Sequence, residues 1–184
     1  LTDVTGVQTC ALPILPKKYI LFLGTLEPRK NIISVIRAFE QLKKDERYHD
    51  LKLVIAGNRG WLWEGIAKRF LESLSKDDII FTGFIMEKDK PALYHLAEAF
   101  VYPSFLEGFG YPPLEAMAAG TPVIAGNSSS LPETTQDAAI LIDPYRPFEI
   151  TQALKELLED EELRNFYIKK GFENSRKTNT EFFK

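Results

Sequence analysis

Two groups of residues in this sequence have the types and spacing to do chemistry. The first is Gly24-Thr25-Leu26-Glu27-Pro28-Arg29-Lys30-Asn31, in which two adjacent cations precede an amphipathic segment. A helix beginning there would point its positive dipole end at Arg29 and Lys30, which is mildly unfavourable by about 0.3–1 kcal/mol each. A bound anion reverses that sign, and helix amides with Arg and Lys make a good diphosphate site. The bland reading is two solvated cations beside an ordinary Asn31 N-cap. The second group runs from Pro103 to Ile124 and carries Glu107, Gly108, Phe109, Gly110, Leu114 and Glu115. Gly108 and Gly110 let backbone amides approach a ligand and lead into a helix N-terminus. Carboxylates such as Glu107 and Glu115 accept well from paired sugar hydroxyls. Alternatively, Glu115 complements the helix dipole in a first turn and Glu107 is a solvated loop charge.

The elements that must position these groups alternate in type. Continuous apolar runs at 19–23, 51–56, 78–82, 99–102, 122–125 and 139–142 read as strands, several closed by Gly or Pro. Helical periodicity is expected over 31–44, 62–74, 90–97, 112–119, 148–158 and 161–174. In the first, Ile32, Val35, Ile36, Phe39 and Leu42 share one face. This alternation predicts an α/β fold, a Rossmann-like, doubly wound parallel sheet of about six strands. Ligands of such folds sit at the carboxyl ends of the strands, where both chemical groups fall. No GxGxxG follows the first strand, which argues against a dinucleotide-binding domain.

Composition narrows the classes further. The chain has 184 residues, 45% hydrophobic and 27% charged, with a formal net charge of −3. That balance argues against nucleic acid or an anionic membrane as an electrostatic partner. No apolar run approaches the roughly 20 residues of a transmembrane segment. One Cys and two His argue against a Cys/His metal site. The opening stretch 4–14 has neither helical nor strand periodicity and resembles the translation of a sequencing-library adapter. Residues 1–14 are therefore expected to be non-native, with Cys10 meaningless, and 15–184 to form the domain; a short native linker is the other reading.

On these motifs the sequence resembles the retaining glycosyltransferases called family 4, or group 1. Glu107 and Glu115, with residues 108–114 between them, match that family's paired glutamates within Glu-Gly-Phe-Gly and Glu-Ala-Met-Ala-Ala-Gly-Thr-Pro-Val-Ile. The segment from Gly24 to Asn31 looks like its phosphate loop, and the resemblance covers about 19–174.

The resemblance implies the C-terminal, donor-binding half of a GT-B fold. Its N-terminal acceptor domain is expected to be missing, and the tail 178–184 to break off where a final helix returns to it. Arg29 and Lys30 would bind the donor diphosphate. Glu107 and the amides of Phe109 and Gly110, beside Gly108, would hold the sugar hydroxyls. Glu115 would hold the ribose, main chain near Ile85 the base, and the Leu114 amide a phosphate oxygen. Glu107, Arg29 and Lys30 would be the catalytic groups, with no metal or cofactor, since no Asp-x-Asp motif appears.

The implied partners are a nucleotide-sugar donor and a glycan or lipid-linked acceptor. The donor is a GDP-sugar by first expectation and a UDP- or dTDP-sugar by second. Mannosyl or rhamnosyl transfer in surface-polysaccharide assembly is expected, in the cytoplasm or at the inner face of the membrane. The isolated chain is expected to be inactive. A non-catalytic nucleotide-binding module and a GT-B-fold nucleotide-sugar epimerase stay open as alternatives.

Overall fold

A computed structural model describes residues 15–182. The expectation that 1–14 is non-native lies outside the described residues. Among the described residues, six strands, β1 (Tyr19–Leu23), β2 (Lys52–Ala56), β3 (Ile79–Gly83), β4 (Ala99–Tyr102), β5 (Val123–Gly126) and β6 (Ala139–Ile142), form one sheet in the order β3-β2-β1-β4-β5-β6. Every pairing is parallel, with Tyr19 opposite Lys52 on one side of β1 and Ile20 opposite Ala99 on the other. The predicted doubly wound α/β fold is therefore the observed one.

Among the described residues, seven α-helices cover the sheet: α1 (Ile32–Leu42), α2 (Trp63–Leu71), α3 (Lys90–His95), α4 (Tyr111–Ala118), α5 (Leu131–Thr135), α6 (Pro147–Glu159) and α7 (Glu161–Phe182). All five residues of β1 are buried, so both faces of the sheet are covered at its centre. α1 packs against α2 and α6, while α4 packs against α3, α5 and α7. The expected apolar stripe of α1 is the buried one: Ile32, Val35, Ile36, Phe39 and Leu42 are each at most 1% exposed. Truncating one of them, such as Phe39→Ala, would cost about 3–5 kcal/mol through lost transfer energy and the cavity left behind.

The chain winds outward from β1 to β3, returns to the middle as β4, then winds the other way to β6. β1 and β4 are thus neighbours with crossovers departing in opposite directions. In open α/β sheets, ligands bind outside the carboxyl ends of the strands at such a reversal of winding. At the β1–β2 side the strand ends close tightly. A Cβ on Gly57 would lie 2.0 Å from the Gly24 carbonyl oxygen, so only glycine allows that backbone approach.

Several boundaries differ from expectation for identifiable reasons. The helix expected over 62–74 ends at Leu71, and Leu74 is 99% exposed. Beyond it a 3-10 turn, Lys76–Asp78, places the Asp78 carboxylate against Lys52 and 2.9 Å from Lys43 Nζ. Asp78 therefore belongs to the turn, and β3 starts one residue later. Helix α5 occupies part of what reads as a loop at 126–133. It is only five residues long, and it is held by tertiary contacts that local periodicity does not encode. Leu131 is fully buried, and Thr134 donates to the Phe109 carbonyl. Helix α7 continues past 174, where the Asn174 amide donates to the Thr134 carbonyl at 2.9 Å and fastens it to α5.

Candidate functional site at the carboxyl ends of β1 and β4

The loop after β1 is shaped by Pro28 and Asn31. Pro28 opens a 3-10 turn, Pro28–Lys30, where its missing N–H costs nothing. Asn31 then adopts a left-handed conformation, φ 57°. Its side chain is not a helix cap: the amide donates to the Pro103 carbonyl at 3.1 Å and the Pro144 carbonyl at 2.7 Å. Asn31 thus ties the loop after β1 to those after β4 and β6. The Phe105 amide donates to the Arg29 carbonyl at 2.8 Å and completes the tie.

These links bring Arg29 and Lys30 onto Glu107. Lys30 Nζ donates to Glu107 Oε1 at 2.7 Å, and Arg29 Nη1 donates to Oε2 at 3.2 Å. The Lys30 and Glu107 side chains are 8% and 7% exposed. Neither is a solvated surface charge, whereas Arg29 is 41% exposed. Arg29 also donates to the Leu106 carbonyl at 3.0 Å and pairs with Glu27 at 2.5 Å. Lys30 makes a further short hydrogen bond to the Tyr102 hydroxyl, at the end of β4.

The electrostatics follow from this packing. Burial alone would raise the Glu107 carboxyl, but the hydrogen bond from Lys30 and the charges of Lys30 and Arg29 hold it below the usual carboxylate range. Burial pushes the Lys30 ammonium down, against the pull of Glu107. Burial, and then the Glu107 charge, push the Tyr102 phenol up, so it stays neutral.

The loop after β5 fixes the Glu107 backbone. The Ser129 hydroxyl accepts from the Glu107 amide at 3.2 Å and donates to its carbonyl at 2.6 Å. The Ser130 hydroxyl donates to the same carbonyl at 3.3 Å. Ser129 holds φ 56°, an uncommon conformation for a residue with a Cβ. Nothing local in Ser128-Ser129-Ser130 announces this contact with Glu107, which lies more than twenty residues earlier in the chain. Tyr102 in turn reads from the sequence only as the end of a strand.

Gly110 caps α4 with φ +90°, and a Cβ there would lie 2.8 Å from Leu131 Cδ2. Gly108 meets nothing within 4 Å, so only Gly110 is required by its backbone. An N-cap carbonyl takes the first intrahelical bond, from the residue four positions on. The Leu114 amide is placed for that bond, which leaves the Gly110 and Tyr111 amides as helix-end donors, since Pro112 and Pro113 have none.

Glu115 is the fifth residue of α4, beyond its first turn, so the dipole-complementing role is not its position. Its Oε2 accepts from the Tyr94 hydroxyl of α3 at 2.9 Å. Tyr94 is 1% exposed, and burial followed by the Glu115 charge pushes its phenol up. Ile85, two residues beyond β3, is buried at 8%. Among the described residues, no group of three or more His, Cys, Asp or Glu is placed to hold a metal ion. Nor is any described helix long and apolar enough to cross a membrane.

Residues 12–174 match the family described as glycosyl transferases group 1. The chain belongs to that family. It is 37% identical over 175 residues to the O-antigen chain mannosyltransferase B of Escherichia coli, covering 90% of this chain and 45% of that protein. It is 33% identical over 150 residues to the GDP-mannose-dependent α-(1-6)-phosphatidylinositol monomannoside mannosyltransferase of Mycobacterium tuberculosis, covering 77% of this chain and 38% of that protein. This group 1 chain therefore spans less than half the length of these curated relatives. Its fold is similar to that of Anabaena HepE in complex with UDP and glucose, with a TM-score of 0.77 at 19% identity over 86% of this chain and 43% of that one.

Proposed function

We propose that this chain is the C-terminal, donor-binding half of a retaining GT-B glycosyltransferase of family 4. It holds a nucleoside-diphosphate sugar by the diphosphate. The observation that carries this reading is the convergence of Arg29 and Lys30 with Glu107 at the carboxyl ends of β1 and β4. Two cations from one loop, a carboxylate from the other and the amide-bearing end of α4 meet where open parallel sheets bind ligands.

In the reaction proposed, the bond between the anomeric carbon and the diphosphate oxygen breaks, and its electron pair leaves with the diphosphate. The acceptor hydroxyl forms the new glycosidic bond on the same face and gives its proton to the leaving phosphate. Negative charge grows on the diphosphate, and Arg29, Lys30 and the Tyr111 amide at the N-terminus of α4 stabilise it there. Glu107 and the Phe109 and Gly110 amides hold sugar hydroxyls, Glu115 the ribose, and main chain near Ile85 the base. The rest of a two-domain protein supplies the acceptor, a glycan or lipid-linked sugar at the cytoplasmic side of a membrane. This chain alone does not position that acceptor and does not transfer sugar. The mannosyltransferase relatives support a GDP-sugar, with a UDP- or dTDP-sugar second, and surface-polysaccharide assembly as the setting.

Calorimetric titration of the chain with GDP, UDP and their nucleosides tests the reading. Diphosphates should bind much more tightly than nucleosides, and Lys30→Ala should remove most of that difference. Equal affinity for diphosphate and nucleoside would overturn it.

A further inference from the structure

The proposed phosphate site contains anions of its own. Glu107 sits 2.7 Å from Lys30 Nζ and 3.2 Å from Arg29 Nη1, and Glu27 holds Arg29 from the other side at 2.5 Å. Two carboxylates therefore already neutralise the two cations that a diphosphate needs. Glu107 is also not free to swing into solvent. The Ser129 hydroxyl pins its backbone at both the amide and the carbonyl, and its side chain is 7% exposed. Any phosphate that reaches Lys30 must share it with a fixed negative charge.

A fixed carboxylate distinguishes phosphates by their charge. In a nucleotide sugar the outer phosphate is esterified and carries one negative charge. In the free nucleoside diphosphate the same phosphate is terminal, with a second ionisation near pH ~6, and carries about two at neutral pH. We infer that Glu107 is a specificity-determining residue that disfavours the free nucleoside diphosphate relative to the sugar-bearing donor, so that the site sheds its product. This rests on the diphosphate reading of Arg29 and Lys30. Sugar-hydroxyl contacts alone would give Glu107 no effect on a ligand without a sugar. The charged and titratable groups around Glu107 are Arg29, Lys30 and Tyr102, with Glu27 on the far side of Arg29, and the loop after β5 brings the uncharged Ser129 and Ser130 to its backbone. Held below the usual carboxylate range, Glu107 stays ionised in mild acid.

The test is calorimetry of the whole chain with GDP, GDP-mannose and guanosine. In Glu107→Gln, GDP should bind about tenfold more tightly, the low end of what one charge-assisted hydrogen bond contributes. Guanosine should not change, and GDP-mannose should gain less than GDP. GDP affinity that is unchanged or weakened in Glu107→Gln overturns the inference.

A second measurement varies pH. The gain in GDP affinity from Glu107→Gln should be smaller at pH ~5.5 than at pH ~7.5, because protonation of the terminal phosphate removes one of the charges that Glu107 repels. An equal gain at both pH values, or a larger one at pH ~5.5, also overturns the inference. Lys30→Ala separates the two levels of the argument. If it leaves GDP affinity unaltered, or if the wild-type chain binds no nucleotide, the phosphate reading fails and this inference falls with it. If Lys30→Ala weakens GDP but Glu107→Gln does not tighten it, only the inference fails.

Discussion

Lys30 Nζ stands 2.7 Å from Glu107 Oε1 although 77 positions separate the residues in the chain. The pair joins the loop after β1 to the loop after β4, across the point where the winding of the sheet reverses. Breaking it from the cation side leaves Glu107 buried with only Arg29 to compensate it. Lys30→Met should therefore destabilise the chain by about 3 kcal/mol, the low end for a broken buried ion pair because Arg29 remains. Urea unfolding at neutral pH reads this, and a change below about 0.5 kcal/mol would mean the pair contributes little to the fold.

The same pair sets part of the response to acid. The folded value of Glu107 lies below its ordinary 4.5, so the unfolded chain binds that proton more tightly than the folded one. Its stabilising contribution is complete above about pH 4.5 and is lost as pH falls through the folded value. Lys30, lowered from 10.5, acts in another window: its charged form costs the fold stability, and that cost fades only as pH rises toward 10.5. Wild type should therefore lose more stability than Glu107→Gln between pH ~6 and pH ~3. Parallel acid limbs in urea melts of the two proteins would contradict this.

Arg29 and Lys30 should contribute to phosphate binding and not to nucleoside binding. Arg29→Ala and Lys30→Ala should each weaken GDP by roughly ten- to hundred-fold, at about 1.5–3 kcal/mol per charge-assisted hydrogen bond. Titration with guanosine provides the control. A comparable loss for the nucleoside would move the cations away from the phosphates.

Tyr94 should position Glu115 for the ribose. Tyr94→Phe removes the hydroxyl that donates to Glu115 Oε2 at 2.9 Å, and should lower ribonucleotide affinity by about threefold to tenfold, one ordinary hydrogen bond. The 2′-deoxynucleotide should lose less. A double-mutant cycle between Glu115→Gln and the deoxy ligand isolates the coupling, and additive effects would remove Glu115 from the ribose site.

The two glycines of the loop after β4 should respond differently to alanine. Gly110→Ala forces a Cβ to within 2.8 Å of Leu131 Cδ2 at φ +90°, and should cost about 1–3 kcal/mol. Gly108→Ala meets open space and should stay within about 0.5 kcal/mol of wild type. Thermal unfolding of both variants compares them directly.

The sequence by itself determined the fold class, the strands and the α1 stripe, because buried parallel strands and amphipathic helices write their periods locally. It also placed both loops of the site at strand carboxyl ends, since that follows from the alternation of elements. It left open whether Arg29, Lys30 and Glu107 are surface charges, whether Glu115 complements the helix dipole and whether the Asn31 side chain caps α1. Only the order β3-β2-β1-β4-β5-β6 decides those questions. It makes β1 and β4 neighbours, so that Lys30 reaches Glu107 and Tyr102, and Asn31 bonds the Pro103 and Pro144 carbonyls. Strand order is a property of non-local pairing, and no local period encodes it. The Ser129 clamp and the Tyr94–Glu115 bond depend on the same non-local packing, which is why Ser129 read as loop and Tyr94 as one more aromatic in a short helix.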